Sequence, residues 1–446
     1  MLREVEDFTI EFLKESKDRS IRIISHYETD GISSSAILIK TLKRLDKKFS
    51  ICIIKELTKE FLDKELKRNS RDIIFFLGLP LKLENLKKKN NKFFIINNNQ
   101  VENEIDEDIS ILNPSLPNSK LKKCTVSQIT YLFSKTISKE NLDLSKIALV
   151  GFIQLNDDKE TSDITEEIIK DTKDLIIKEG LILYPSTRPL KRSLEYSISP
   201  YIPGITGNQD EVINLLKKVE ISPEKSLIDL DEKEMLRLVS AIKIKLSGQI
   251  KQNNFFGKLY TANFFGRMED LREIAVIISA CSRLGYSDIA ISFALENESA
   301  KSKALDIYTE YKTELVSGLK TVENIDKING RGFVILNAGN KIKDAIVGTI
   351  CSMLSSSPTY EEGTILIGMA YNKDKIKIFA RIAGKGKRNI REVFEKTAFM
   401  FESEHPETKI EFKASPDSAS CLIQRQDELS FIETLKKNLE VEIIKI

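Results

Sequence analysis

Over the first 155 residues, short apolar runs alternate with amphipathic stretches, and no other feature of the chain restricts its fold as much. IRIISHYETDG reads as a strand running into a polar turn, and SSSAILIKTLKRL as the amphipathic helix after it. Further strands are predicted at FSICIIKEL, DIIFFLGLP, KFFIINNN and KIALVGFIQL, with TVSQITYLFSKTIS as a crossover helix before the last of these. Near-continuous apolar strands joined by helical patterns predict a mostly parallel α/β sheet covered on both faces.

At 446 residues the chain is long enough for two or three domains, each with its own core. Residues 185–207 hold four of the eleven prolines and two glycines, which marks a boundary or connecting segment. From 208 to about 325 the pattern is mostly helical, with EMLRLVSAIKIKLSG and MEDLREIAVIISACSRLG the clearest periodic stretches. Strands and helices then return. The expected division is 1–184 as a sheet domain, 185–325 as a connecting and helical middle region, and 326–446 as a smaller α/β domain.

Lys and Arg (69) nearly balance Asp and Glu (67), so no global field draws this chain to nucleic acid and any such contact must be local. Cys52, Cys124, Cys281, Cys351 and Cys421 are scattered without C-x-x-C spacing, which suits a reduced intracellular protein better than a disulfide frame or a zinc site. MLREVEDFTIEFLKES reads as an amphipathic helix rather than a signal peptide, and no apolar run of about 18 residues predicts a membrane span. Only His26 and His405 are present, too few for most histidine-rich metal chemistry. The Lys- and Asn-rich stretches LKRNSRD and LENLKKKNNK read as solvated surface.

Chemistry concentrates first in SHYETDG. On an extended chain His26, Glu28 and Asp30, at i, i+2 and i+4, share one face and suit a divalent cation. A polar turn around a hydrogen-bonded histidine explains the stretch equally well. The second feature is Asn97, Asn98 and Asn99, where the strand FFII ends and where open α/β sheets place their ligands.

These stretches resemble the DHH phosphoesterase superfamily, which includes the RecJ-type exonucleases. The family's first motif is H-x-D-x-D-G between a strand and a helix, and its ligands hold two manganese or magnesium ions against a phosphodiester. The resemblance places Gly78 where a second strand carries an aspartate. It sets Asn97, Asn98 and Asn99 where Asp-His-His stands, and Leu155 where a further aspartate stands. Only His26, Glu28 (for aspartate) and Asp30 are kept. Two divalent ions need several anionic ligands, and two carboxylates with one imidazole do not supply them. The expectation is no catalytic residue and no cofactor, or at most one weakly held ion on His26, Glu28 and Asp30. A loop slip bringing in Asp157 or Asp158 would still leave Gly78 and the asparagines unexplained.

TRPLKRSLEYSISPYIPGITG, ACSRLG and KDAIVGTICSMLSSS are similar to the archaeal RecJ-like branch. That branch includes a GINS-associated nuclease and degenerate relatives of the cell division control protein 45 family, the subunit of the CMG helicase that binds GINS and the MCM ring and lacks nuclease activity. The C-terminal region resembles the DHH-associated domain, whose Gly-Gly-Gly-His segment is replaced here by EFKASPDSASCLI. Only the small residues Ser418, Ala419, Ser420 and Cys421 survive from the run that follows it. A basic lining for a single strand is expected from Arg188, Lys191 and Arg192 with Arg381, Lys385, Lys387, Arg388 and Arg391; a solvated basic loop is the alternative.

The resemblance implies a non-catalytic replisome subunit, cytoplasmic and nucleoid-associated, that binds GINS and through it the MCM helicase, with single-stranded DNA as a further contact. The alternatives are an active manganese- or magnesium-dependent single-strand exonuclease with a reduced metal site, and a regulatory partner of an active paralogue.

Overall fold

A computed structural model describes residues 2–68, 72–81, 83–86, 91–100, 108–155, 162–183, 185–197, 202–245, 256–357, 359–384, 386, 388–408, 410 and 412–440. Part of the Lys- and Asn-rich surface (69–71, 82 and 87–90), together with Asp157, Asp158, Lys385 and Lys387, lies outside these residues. The chain forms two compact units, 1–179 with 258–309, and 180–257 with 310–446. The middle region is therefore shared between them. Among the described residues, no helix is long and apolar enough to cross a membrane.

The first unit begins with helix α1 (Arg3–Glu15), strand β1 (Ile21–His26), α2 (Thr29–Arg44), β2 (Phe49–Ile54), α3 (Lys59–Leu66), β3 (Ile73–Leu77), β4 (Lys92–Ile96) and β5 (Ile109–Leu112). Helices α4 (Val126–Ile137), α5 (Ser145–Leu155) and α6 (Asp163–Asp171) follow, then β6 (Ile176–Leu181). The five strands β1 to β5 form one parallel sheet in the order β2-β1-β3-β4-β5. The strand order reverses between β1 and β3, so the crevice at their carboxyl ends is the sheet's topological switch point.

Two sequence expectations are corrected here. KIALVGFIQL is not a strand but most of α5, and Leu155 ends that helix instead of a strand. Helix α5 packs among α2 and α4, so it is apolar nearly all round and loses the period that separates a helix from a buried strand. The fifth strand is instead ISIL, too short to stand out in the sequence.

Phenylalanines bind α1 to this sheet. Phe8 and Phe12 stand edge-on to Phe94 of β4 at 5.2 and 5.3 Å between ring centres, and to Phe133 of α4 at 5.4 and 5.2 Å. Phe75 of β3 completes the group. Edge-to-face contacts of this kind add to the burial of each ring.

In the second unit, α7 (Leu190–Glu195), α8 (Gln209–Lys218) and α9 (Glu232–Lys245) come first. The chain re-enters the first unit through β7 (Phe256–Phe264), β8 (Arg267–Asp270), α10 (Leu271–Arg283) and α11 (Ser287–Ala294). Strands β6, β7 and β8 make a three-stranded sheet, of which β7 and β8 lie in the region whose sequence reads as mostly helical. Helix α12 (Glu298–Asn324) leads to β9 (Lys327–Gly330), β10 (Phe333–Gly339), α13 (Asp344–Ser355), β11 (Ile365–Asn372), β12 (Lys375–Ile382), α14 (Ile390–Glu404), β13 (Phe412–Ala414), β14 (Ser418–Gln424) and α15 (Glu428–Leu439). Their six-stranded sheet runs β13-β14-β12-β11-β10-β9, with β10 and β11 parallel and the other pairs antiparallel. Phe394, Phe401, Phe431 and Leu435 of α14 and α15 fill its core face.

Phe12 is fully buried, so Phe12→Ala is expected to destabilise the protein by about 3–5 kcal/mol in urea unfolding. A loss below about 1 kcal/mol would show that α1 is only loosely attached.

Candidate functional site

The switch-point crevice is built by three short segments. Strand β1 ends at His26, Glu28 caps the amino end of α2, and Asp30 already lies in the first turn of that helix. The three residues are therefore not on an extended chain, and the shared face expected from their i, i+2, i+4 spacing is not formed. Gly31 fixes this turn, because a Cβ there would sit 2.2 Å from the His26 carbonyl oxygen. Ser25 Oγ also donates to the Gly31 carbonyl at 3.0 Å.

Asp30 is buried, and its two carboxylate oxygens accept the backbone amides of Val126 and Ser127 at 2.9 and 2.8 Å. Those amides open α4, where free N–H groups and the helix dipole favour an anion. Thr125 and Gln128 form a capping box at the same end. Gly151 of α5 permits the contact, since a Cβ there would lie 2.3 Å from Ser127 Oγ and 2.9 Å from Asp30 Oδ1. Burial pushes the Asp30 carboxyl above its ordinary range, against the downward pull of the bonds from Ser127, Val126 and Thr125. The chain's own carboxylate thus occupies the anion niche of α4.

Gly78 follows β3 with φ of +65°, and its amide donates to the Ile96 carbonyl at 2.9 Å. A Cβ at this position would stand 3.7 Å from both the His26 Cβ and a Val126 methyl. The ends of β1 and β3 and the start of α4 therefore meet around Gly78.

The three asparagines divide. Asn97 is buried; its amide nitrogen donates to the Leu79 carbonyl at 3.3 Å, and its oxygen accepts from Asn113 Nδ2. Asn113, just past β5, also donates to the Asn99 carbonyl at 2.8 Å and accepts from the Ser115 amide at 2.6 Å. Asn98 is exposed and Asn99 half-buried. Asn97 thus joins the loop after β3 to the end of β5, a task that needs a donor and an acceptor in one side chain. Asn113 was missed in the sequence, although Asn-Pro-Ser is a turn signal that marks it.

Helix α10 closes another side. Ser282, within ACSRLG, donates to the Tyr27 carbonyl at 2.7 Å, and Thr29 Oγ1 donates to the Ala275 carbonyl at 3.4 Å. Burial raises the Tyr27 hydroxyl pKa; Arg283 opposes that shift and Glu28 adds to it.

The donor set can be tested against the two metal ions of the resemblance. Both Asp30 oxygens hold amides, Asn97 is turned into the sheet end, and Gly78 has no side chain. His26 Nδ1 lies 3.9 Å from Glu28 Oε2. Among the described residues, no three His, Cys, Asp or Glu side chains gather as a metal-holding group. This set does not fit a two-metal centre, which needs several carboxylates around a pair of ions.

In the second unit, Ser415 to Ser418 form a closed turn where the family's glycine segment is expected. The Ser415 amide donates to the Ser418 carbonyl at 2.7 Å, and the Ser418 amide donates to Ser415 Oγ at 3.2 Å. Ser418 to Cys421 continue as strand β14 against β12. Of the basic residues proposed to line a strand, Lys191, Arg192, Arg388 and Arg391 each have a partner within this unit. Lys191 pairs with Glu224, Arg192 lies 3.6 Å from Glu195, and Arg391 donates to the Ala414 carbonyl. Arg388 straps the carbonyls of Gly332 and Leu439 at 2.9 and 2.5 Å, and burial lowers its pKa. Arg188 is half-buried, and Arg381 sits in β12 opposite Ser418.

Two outcomes follow from this geometry. At neutral pH Asn97→Asp removes the donor to Leu79 and adds a charge, so a loss of about 1–3 kcal/mol is expected. Near-native stability in chemical unfolding would refute the role assigned to Asn97. For Asp30, the raised carboxyl adds stability below its unfolded value, and that contribution is lost as pH rises through the folded one. The unfolding free energy of the wild type minus that of Asp30→Asn should therefore fall as pH rises above the ordinary 3.8. A difference that grows with pH would mean that the two amides outweigh burial.

Comparison with known proteins gives three kinds of match. The DHH-CID domain model matches residues 183–253. The protein MJ0831 of Methanocaldococcus jannaschii is 26% identical over 344 residues, covering 75% of this chain and 76% of that protein. Among solved structures, CDC45 from Entamoeba histolytica matches with a TM-score of 0.69 at 14% identity, over 98% of both chains. Manganese-bound exonuclease RecJ matches with a TM-score of 0.60 at 12% identity, over 98% of this chain and 94% of that one. RecJ of Thermus thermophilus with Mn2+ gives 0.58 at 13% identity, over 98% of this chain and 54% of that one. Residues 183–253 thus match the DHH-CID domain model, and the fold of the chain as a whole resembles those of CDC45 and RecJ.

Proposed function

We propose that this chain is a non-catalytic replisome scaffold that binds GINS and helps to activate the MCM replicative helicase. Single-stranded DNA is a further contact in this reading. One observation carries it: Asp30, the buried carboxylate retained at the switch point, is committed to the amides of Val126 and Ser127. The place where a phosphate or a metal-bound water would react is thus used to hold α4 against α2. The end-to-end likeness to CDC45 supports the same reading.

His26 and Glu28 remain the residues for a single loosely held manganese or magnesium ion. Two ligands on a half-exposed rim bind such an ion weakly, since magnesium sites lean on carboxylates and retained waters. Within this proposal the basic residues of the second unit act mainly as straps, and DNA contact falls to those that keep exposed charge.

Two measurements test the proposal. Calorimetric titration with GINS from the same organism is expected to give a stoichiometric complex of sub-micromolar affinity. Absence of a complex at micromolar concentrations would remove the partner assignment. Incubation with single-stranded DNA and manganese is expected to release no nucleotides above the His26→Ala background. Release that disappears in His26→Ala would instead establish an exonuclease with a reduced metal site.

A further inference from the structure

We propose that the outer edge of β2 is a docking site for an extended partner segment, apolar along its length and acidic at both ends. The inference is independent of the replisome reading and rests on how the sheets end.

Among the described residues, the three sheets end in β2, β5, β6, β8, β9 and β13. Exposed edges template pairing with other chains, and proteins blunt them with short strands, charges, prolines or bulges. Five of the six edges follow that rule. Strands β5 and β9 have four residues each and β13 has three. Strand β6 carries Lys178 and Glu179, and β8 carries Arg267, Glu269 and Asp270.

Strand β2 has no such guard. Its six residues, FSICII, include no charge and no proline, and all six pair with β1 without a register shift. Ser50 is exposed and the other five are only half-buried.

The backbone geometry fixes which groups are on offer. The Ile21 and Tyr27 amides donate to the Lys48 and Ile54 carbonyls at 3.0 and 3.1 Å. Backbone groups alternate sides along a strand, so the even-numbered residues face β1. Phe49, Ile51 and Ile53 turn their N–H and C=O groups outward at strand spacing. A helix satisfies its own backbone and cannot use them, so the occupant is a strand.

Charge selects its ends. Lys48 and Lys55, both exposed, bracket the neutral strand. Opposite charges directly across a strand pair attract and like charges repel, so acidic flanks fit. A second copy fits less well: self-pairing centred on Ile51 sets Lys47 against Lys55 and Asp46 against Glu56. One strand edge also falls far short of the roughly 1,200–2,000 Å² that a stable interface buries.

Cys52 is half-buried in β2, whereas the other four cysteines are buried, so it serves as a reporter. The probe is a fluorescent eight-residue peptide, acetyl-Glu-Val-Thr-Val-Thr-Val-Thr-Glu-amide, whose end residues match the Lys48-to-Lys55 spacing, with a Lys-flanked peptide as control, read by anisotropy on the full chain. We expect roughly tenfold tighter binding of the Glu-flanked peptide and slower iodoacetamide modification of Cys52 when it is bound. Binding should be lost in Ile51→Pro, which removes one outward N–H and spares the ladder to β1. Ile53→Lys should show the same loss, and both variants should keep native circular dichroism. No binding, equal binding of the two peptides, or an unprotected Cys52 overturns the proposal. A dimer in light scattering that Ile51→Pro abolishes, or a Cys52–Cys52 disulfide on mild oxidation, overturns it in favour of a second copy.

Discussion

The first unit is organised around one buried carboxylate. Asp30 leaves the first turn of α2 and holds the opening amides of α4, so the two helices that cover the switch point are tied by hydrogen bonds to a single side chain. The bond needs a polar partner set in a dry place, and the sequence supplies one. Thr125 and Gln128 close the helix end, Ser127 adds a hydroxyl, and Gly151 leaves room for the approach. An unpaired carboxylate at that depth would be prohibitive; a doubly bonded one anchors the packing of α2, α4 and α5.

That arrangement also accounts for which residue types stand around the crevice. A centre built for cations needs clustered negative charge. Here the sheet end is finished with amides, which give and accept hydrogen bonds without charge. Asn97 and Asn113 join β4, β5 and the loop after β3 in this way. The Ser415 turn does the same on a smaller scale, spending its amides on its own hydroxyl and carbonyl.

Much of this was legible in the sequence. Strands β1 to β4 and helices α2 and α4 follow from apolar runs and 3.6-residue periodicity, and SHYETDG and NNN mark the crevice. The rest was hidden for identifiable reasons. KIALVGFIQL is buried on nearly every side, so its composition imitates a strand. ISIL is too short to carry a pattern. The role of Asp30 depends on two main-chain amides nearly a hundred positions away, and no spacing rule reaches them. Glu28 and Asp30 look like a ligand pair only if the chain stays extended; the helix begins at Thr29 and turns them apart.

Gly78 limits which side chains the crevice accepts. It sits in the left-handed region at φ +65°, a conformation that a side chain enters only at a cost. Its neighbour in the site, Asn97, has a donated hydrogen that a carboxylate cannot replace. A carboxylate at either position alone therefore costs folding free energy before any ion is held, so the crevice is set against acidic side chains one substitution at a time.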